Sequence, residues 1–310
     1  MRKLKMMLVV IALAISAAAA DRGVLVREAN IYISPDSTSQ KLITAERGRE
    51  FAVLDKTNGW LHIIVEITQQ PPLESRAITG WMVDKGAVMK STPNGDQIIY
   101  GEAVDSETQA SQSHGRRGAA GDARRLYYRV YDYFPQSPLA GEALYRSADI
   151  QWQLDKEDID TRKSHRSLDP VERPQVDDEN MRLVEKKFPH TKWADLAVYH
   201  RLENKLCSDW QAQSKCPEKE TEYFLKYADE HPDSPRAAEA LYNAAYRFAA
   251  LIELYKGEGK EKKSEEVAPK AIALAQKVIA KNTSADWNAR AQRLIYMVQN
   301  NVAVYGNAVE

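Results

Sequence analysis

One phrase occurs three times in this chain: a proline, alanines five and eight residues later, then an aliphatic residue and a tyrosine. It reads Pro135, Ala140, Ala143-Leu144-Tyr145; Pro189, Ala194, Ala197-Val198-Tyr199; and Pro232, Ala237, Ala240-Leu241-Tyr242. Ser137, Thr191 and Ser234 follow the prolines by two residues, placing a capping hydroxyl before each new helix. The alanines allow a neighbouring helix to come close. A phrase repeated at this scale specifies stacked helical units, each covering the apolar face of the next.

Helical periodicity surrounds every copy. Leu126, Val130 and Tyr133-Phe134 precede Pro135 at three-to-four spacing; Leu183, Val184 and Phe188 precede Pro189; Phe224, Leu225 and Ala228 precede Pro232. Each proline therefore separates two helices. A fourth copy without proline reads Ala291 and Leu294-Ile295-Tyr296, after Ile272, Ala275 and Val278-Ile279. Residues 155–179 and 256–266 are polar or charged and are expected to be loops.

Residues 21–92 are of another kind. Short alternating segments at 24–26, 31–33, 51–54, 60–65 and 80–83 are separated by turn residues, the pattern of a small β-barrel. Asn58-Gly59 is a hairpin turn, because both positions tolerate positive φ. Between the two parts, residues 93–115 are rich in Ser, Gly, Gln and Asp and read as a linker, with an edge strand at 97–100 and partial helix over 102–113 as alternatives, and with 116–310 as the helical domain.

The first twenty residues read as a secretory signal: Arg2, Lys3 and Lys5, an apolar stretch over 6–15, then small residues to Ala20. Its apolar run is shorter than the roughly 20 residues that span a bilayer. No second apolar run of that kind follows. Cleavage after Ala20 changes the formal net charge from -1 to -4. The expected location is the periplasm or outside the cell, without a transmembrane segment. Basic residues are not gathered into a field, which argues against a nucleic-acid partner.

In an oxidising compartment Cys207 and Cys216 are expected to pair as a disulfide. The six histidines include no pair at i, i+4 spacing, and Asp155, Glu157, Asp158 and Asp160 lack the glycine and terminal glutamate of a calcium loop. No nucleophile elbow, phosphate loop or dinucleotide fingerprint is present. The expectation is a non-enzymatic chain with no cofactor and no catalytic or metal residues.

Two family resemblances sharpen this. Asn30-Ile31-Tyr32-Ile33-Ser34-Pro35, Gly48, Gly59-Trp60 and Gly80-Trp81 resemble the ordered landmarks of bacterial SH3-like domains. Tyr32 stands where that family has arginine, and 68–76 enlarges one loop. The resemblance implies a module that binds cell-wall peptides or glycans, or one that acts as a spacer, with Tyr32, Trp60 and Trp81 lining any ligand pocket. The three proline turns resemble tetratricopeptide repeats of the subgroup found in periplasmic Tol-system coordinators and outer-membrane assembly factors. Proline spacings of 54 and 43 exceed the roughly 34 of that repeat. Together the resemblances imply an all-β SH3-like barrel followed by an all-α repeat domain. Such a chain is a cell-envelope scaffold whose repeat groove holds a protein or peptide; the alternative is a peptidoglycan-binding protein that recruits a wall-modifying enzyme.

Overall fold

The computed structural model describes residues 21–68, 75–166, 168, 174–207 and 209–306, which form two compact units divided after Gly95. The signal reading over 1–20 lies outside the described residues.

The first unit is a curled antiparallel sheet of β1 (Arg22–Leu25), β2 (Ala29–Tyr32), β3 (Lys41–Ala45), β4 (Glu50–Thr57), β5 (Trp60–Thr68), β6 (Ser75–Val83) and β7 (Ala87–Met89), in the order β3-β2-β6-β5-β4-β1-β7. Five of these follow from alternation; β3 and β7 are additional. Alternation along β5 sends Leu61, Ile63, Val65 and Ile67 into a core with Leu25, Ile31, Phe51 and Met82. Asn58 (φ 44°) and Gly59 (φ 81°) make the β4–β5 turn, with Thr57 opposite Trp60. The second Gly-Trp has a different cause. A Cβ on Gly80 would stand 2.7 Å from both Ile31 Cγ2 and the Tyr32 carbonyl oxygen, so glycine lets β2 approach β6.

The second unit is helical: α1 (Gly95–Ala110), α2 (Ala119–Tyr133), α3 (Ala140–Thr161), α4 (Lys163–Arg166), α5 (Glu179–Lys187), α6 (Lys192–Glu203), α7 (Lys215–Glu230), α8 (Ala237–Gly257), α9 (Glu261–Lys281) and α10 (Ala285–Gln299). The pairs α2/α3, α5/α6, α7/α8 and α9/α10 follow the repeated phrase and its fourth copy. At all three proline turns the preceding residue has nearly one conformation: Phe134 (φ −127°, ψ 58°), Phe188 (−129°, 54°) and His231 (−129°, 57°). Proline excludes the helical region for the residue before it, yet that residue's N–H still closes the last turn, onto the carbonyls of Val130, Val184 and Tyr227. The phrase alanines are buried in every copy.

The hydroxyls act in two ways. Thr191 caps conventionally, its Oγ1 accepting from Ala194 N at 3.4 Å. Ser137 and Ser234 are each followed by proline and instead accept from the N–H two residues on, Leu139 at 3.2 Å and Arg236 at 3.1 Å. In the fourth pair Asn282, in the left-handed region at φ 48°, ends α9, and Ser284 caps α10.

Three readings of the sequence differ from the structure. The linker over 93–115 is largely helix α1, and the second unit starts at Asp96 rather than 116. A narrow stripe of Ile99, Glu102, Ala103 and Ser106 is buried on α1, too little apolar surface to show against its polar composition. The expected loop at 256–266 shrinks to a short connection, because α9 starts at Glu261 and buries Ser264 and Val267. Of the expected loop at 155–179, the first residues continue α3 to Thr161.

Candidate functional site

Two surfaces offer themselves, one on each unit. In the sheet unit, residues that alternate with the core on β2, β6 and β5 point to the other face. Tyr32 is opposite Trp81, and Trp81 opposite His62, across three adjacent strands. The His62 and Trp81 rings stack with centroids 4.6 Å apart, and Tyr32 meets Trp60 edge to face at 5.8 Å. All four are half-buried. Tyr32, Trp60 and Trp81 thus come together as an aromatic strip on an open sheet face, joined by His62, which the sequence reading passed over. Exposed Ile64 and Val83 extend the strip. Stacked rings in register give flat apolar area with polar edges, suited to the face of a sugar ring or to peptide side chains.

In the helical unit the first helices of successive pairs leave a groove of about 560 Å³ between α7 and α9. Leu225 and Ala228 of α7, Leu241 of α8 and Leu274 of α9 form its apolar part; Lys226, Asp229 and Lys277 supply charges of both signs. Lys281 closes over the neighbouring turn, its Nζ donating to the Pro232 carbonyl at 2.8 Å. Of the third copy of the repeated phrase, Leu241 reaches the groove and the other residues place the helices. Ala237 and Ala240 pack inward, and Tyr242 rests against Trp287 of α10 at 5.4 Å.

Most other aromatic residues serve the core: Tyr127, Tyr133, Trp152, Trp210 and Tyr227 are buried. Burial raises the Tyr127 hydroxyl's pKa, and the Glu107 carboxylate that it donates to at 2.6 Å raises it further. His200 belongs to the helical interior. It is buried, with Nε2 3.2 Å from both the Tyr145 hydroxyl and Asp149 Oδ1. Burial pushes the Asp149 pKa up, but the hydrogen bond and charge of His200, together with Gln153 and Arg236, hold the carboxyl below its usual range. Tyr145 recurs as part of a structural phrase, which hides its polar partner in the linear text.

Cys207 and Cys216 are joined as a disulfide, with Cα atoms 6.2 Å apart. The ring is held from both sides. Cys207 N donates to Glu220 Oε1 at 2.8 Å, and Ser214 N and Oγ donate to the Glu258 carboxylate at 2.7 and 2.9 Å. Lys260 and the two Ser214 donors bring the Glu258 pKa down to about 2. Replacing both cysteines by serine is expected to lower unfolding stability by about 2–3 kcal/mol, the loop-closure entropy of so small a ring. Urea unfolding of the oxidised protein and the double variant measures it; equal midpoints would show that native strain cancels the cross-link.

Comparison with known proteins gives little beyond this geometry. No family model matches the chain, and no curated protein matches it. Among solved structures, the chain is similar to the DHF79 filament (13% identity over 64% of this chain and 95% of that one, TM-score 0.19). It is also similar to the de novo designed helical repeat protein DHR64 (19% identity, 67% and 94%, TM-score 0.21). Scores this low leave the assignment of either unit to the chain's own residues.

Proposed function

We propose that this chain is a non-enzymatic cell-envelope scaffold that holds a protein or peptide partner in the groove between α7 and α9. The groove itself carries the reading: an apolar floor of Leu225, Leu241 and Leu274 with Lys226, Asp229 and Lys277 around it fits an amphipathic segment, whose apolar residues go down and whose charges meet the rim. In this reading the helix pairs are tetratricopeptide-like and the sheet unit SH3-like, as the turn and Gly-Trp motifs imply. The leader-like first twenty residues support a periplasmic or secreted location. Among the described residues no helix is long and apolar enough to cross a membrane.

The aromatic strip favours a second reading, in which the sheet unit binds peptidoglycan and the helices recruit a wall-modifying enzyme. Half-buried rings packed edge to face and stacked on the sheet face away from the core are the observation behind it.

One experiment separates them. A photo-cross-linking residue at Lys277 in the full chain is expected to capture a specific envelope protein in cells, and Leu225→Glu to reduce that capture about tenfold or more. Purified wall sacculi then test the strip. Loss of pelleting in Trp60→Ala/Trp81→Ala, with capture at Lys277 unchanged, establishes the wall reading for the sheet unit. Absence of any capture at Lys277 rejects the groove.

A further inference from the structure

A second recessed surface lies on another side of α8. Its residues Ala250 and Leu254 come 9 and 13 positions after Leu241 of the groove, and at about 3.6 residues per turn they face away from it. There a pocket of about 250 Å³ is bounded by α8 at Ala250, Leu254 and Gly257, by the disulfide loop at Trp210 and Ala212, and by the chain after α10.

That third wall is a peptide in its own right. Asn301, in the left-handed region at φ 53°, turns the chain out of α10, and Val302 N bonds back to the Met297 carbonyl. The following residues are not helical. Val304 is buried in the helical core, while Val302 and Tyr305 on either side are exposed, and the Tyr246 hydroxyl of α8 donates to the Tyr305 carbonyl at 2.8 Å. One aliphatic anchor and a main-chain hydrogen bond are the means by which binding surfaces take up extended peptides.

The fit is incomplete. Space remains beside Val304, and the Trp210 indole N–H, in a side chain that also borders the pocket, is buried with no hydrogen-bond partner among the described residues. The opposite wall is firmly built. The disulfide closes the loop, Glu220 and Glu258 hold its two ends, and Gln211 and Ala212 sit at φ 50° and 54°, a conformation that persists only where the surroundings impose it. Thus two walls are fixed and the third is a strap with a side chain smaller than the space available.

We propose that this surface is a second recognition site, for an extended partner peptide that inserts an aliphatic side chain larger than valine beside Trp210, and that residues 302–306 are its resident competitor. The strap keeps the site covered until such a peptide replaces it. This site is independent of the α7–α9 groove.

The probe is a labelled hexapeptide with the sequence of residues 301–306 but leucine in place of Val304, followed by fluorescence anisotropy. In the full chain, Val304→Asp releases the strap and is expected to tighten peptide binding about tenfold or more over the unmodified chain, since the competent state is no longer rare. Gly257→Leu tests the location, because Gly257 borders the pocket and a Cβ there meets nothing within 4 Å. Combined with Val304→Asp it is expected to abolish binding while leaving the far-UV circular dichroism unchanged. Should Val304→Asp not fold, excess peptide added to the unmodified chain is expected to raise hydrogen exchange at 302–306. Peptide binding that is absent from folded Val304→Asp, equal in both chains, or indifferent to Gly257→Leu overturns the proposal, as does unchanged exchange in the unmodified chain.

Discussion

Glu220→Ala is expected to lower the unfolding free energy by about 3–5 kcal/mol, through the charge it strands more than the contact it removes. Glu220 and Arg247 are each about 1% exposed, and Arg247 Nε donates to Glu220 Oε2 at 2.9 Å. The guanidinium lies over the Phe224 ring at 4.6 Å and faces Trp210 at 5.7 Å, with Asn243 offering only longer contacts of 3.3 and 3.4 Å. Burial depresses the Arg247 pKa against the pull of Glu220. A buried pair replaced whole behaves differently. Glu220→Leu with Arg247→Met removes both charges and is expected to restore most of the loss. It leaves one deficit, because Glu220 Oε1 also accepts from Cys207 N, and losing that hydrogen bond costs about 0.5–1.5 kcal/mol. Urea unfolding of the three oxidised proteins measures both steps. A single-variant cost no larger than the roughly 1 kcal/mol of an exposed ion pair would refute the account.

Trp152→Ala is expected to cost a similar amount, about 3–5 kcal/mol, for a different reason. Trp152 is 2% exposed and joins α3 to α5 and α6 through Met181, Val184 and Ala197 in one cluster, with its ring 5.6 Å from His200. Alanine there leaves a cavity that three helices cannot close together. Trp152→Phe makes a sharper test. The indole N–H is buried without a partner among the described residues, so phenylalanine removes an unfavourable group as well as some volume. The two effects oppose each other, and the net cost is expected to stay under about 1.5 kcal/mol. If Phe proves as damaging as Ala, the indole N–H has a partner after all, and solvent-exchange measurements on that proton would find it.

The helical unit was legible because proline, small residues and capping hydroxyls act locally. Pro135, Pro189 and Pro232 end a helix whatever surrounds them, and a buried alanine at fixed spacing reveals close packing. Alternation on β5 and the Asn58-Gly59 turn were equally readable, for the same reason. What escaped was set by contacts distant in sequence. Helix α1 has few apolar residues of its own and gains its partners, Tyr127 and Arg146, from α2 and α3. Strand β3 is largely exposed and β7 has three residues, and pairing with β2 and β1 defines them. Of the aromatic strip, Tyr32, Trp60 and Trp81 could be picked out from their motifs, but His62 joins them only through the β5–β6 register. The disulfide followed from the presence of two cysteines, whereas the Arg247–Glu220 pair behind it is 27 residues apart and carries no local mark. The groove lies in the same class, since Leu225 and Leu274 are brought together by stacking alone.

The near-identical backbone at Phe134, Phe188 and His231 has an architectural consequence. A turn whose shape is dictated by proline cannot absorb a change in length, so growth of the array has to be accommodated in the return segments that lead from one pair to the next. There the chain varies: the return after α3 runs through α4, and the return after α6 carries the disulfide ring. Those returns are the places where this molecule can accept new sequence while every bend keeps its angle.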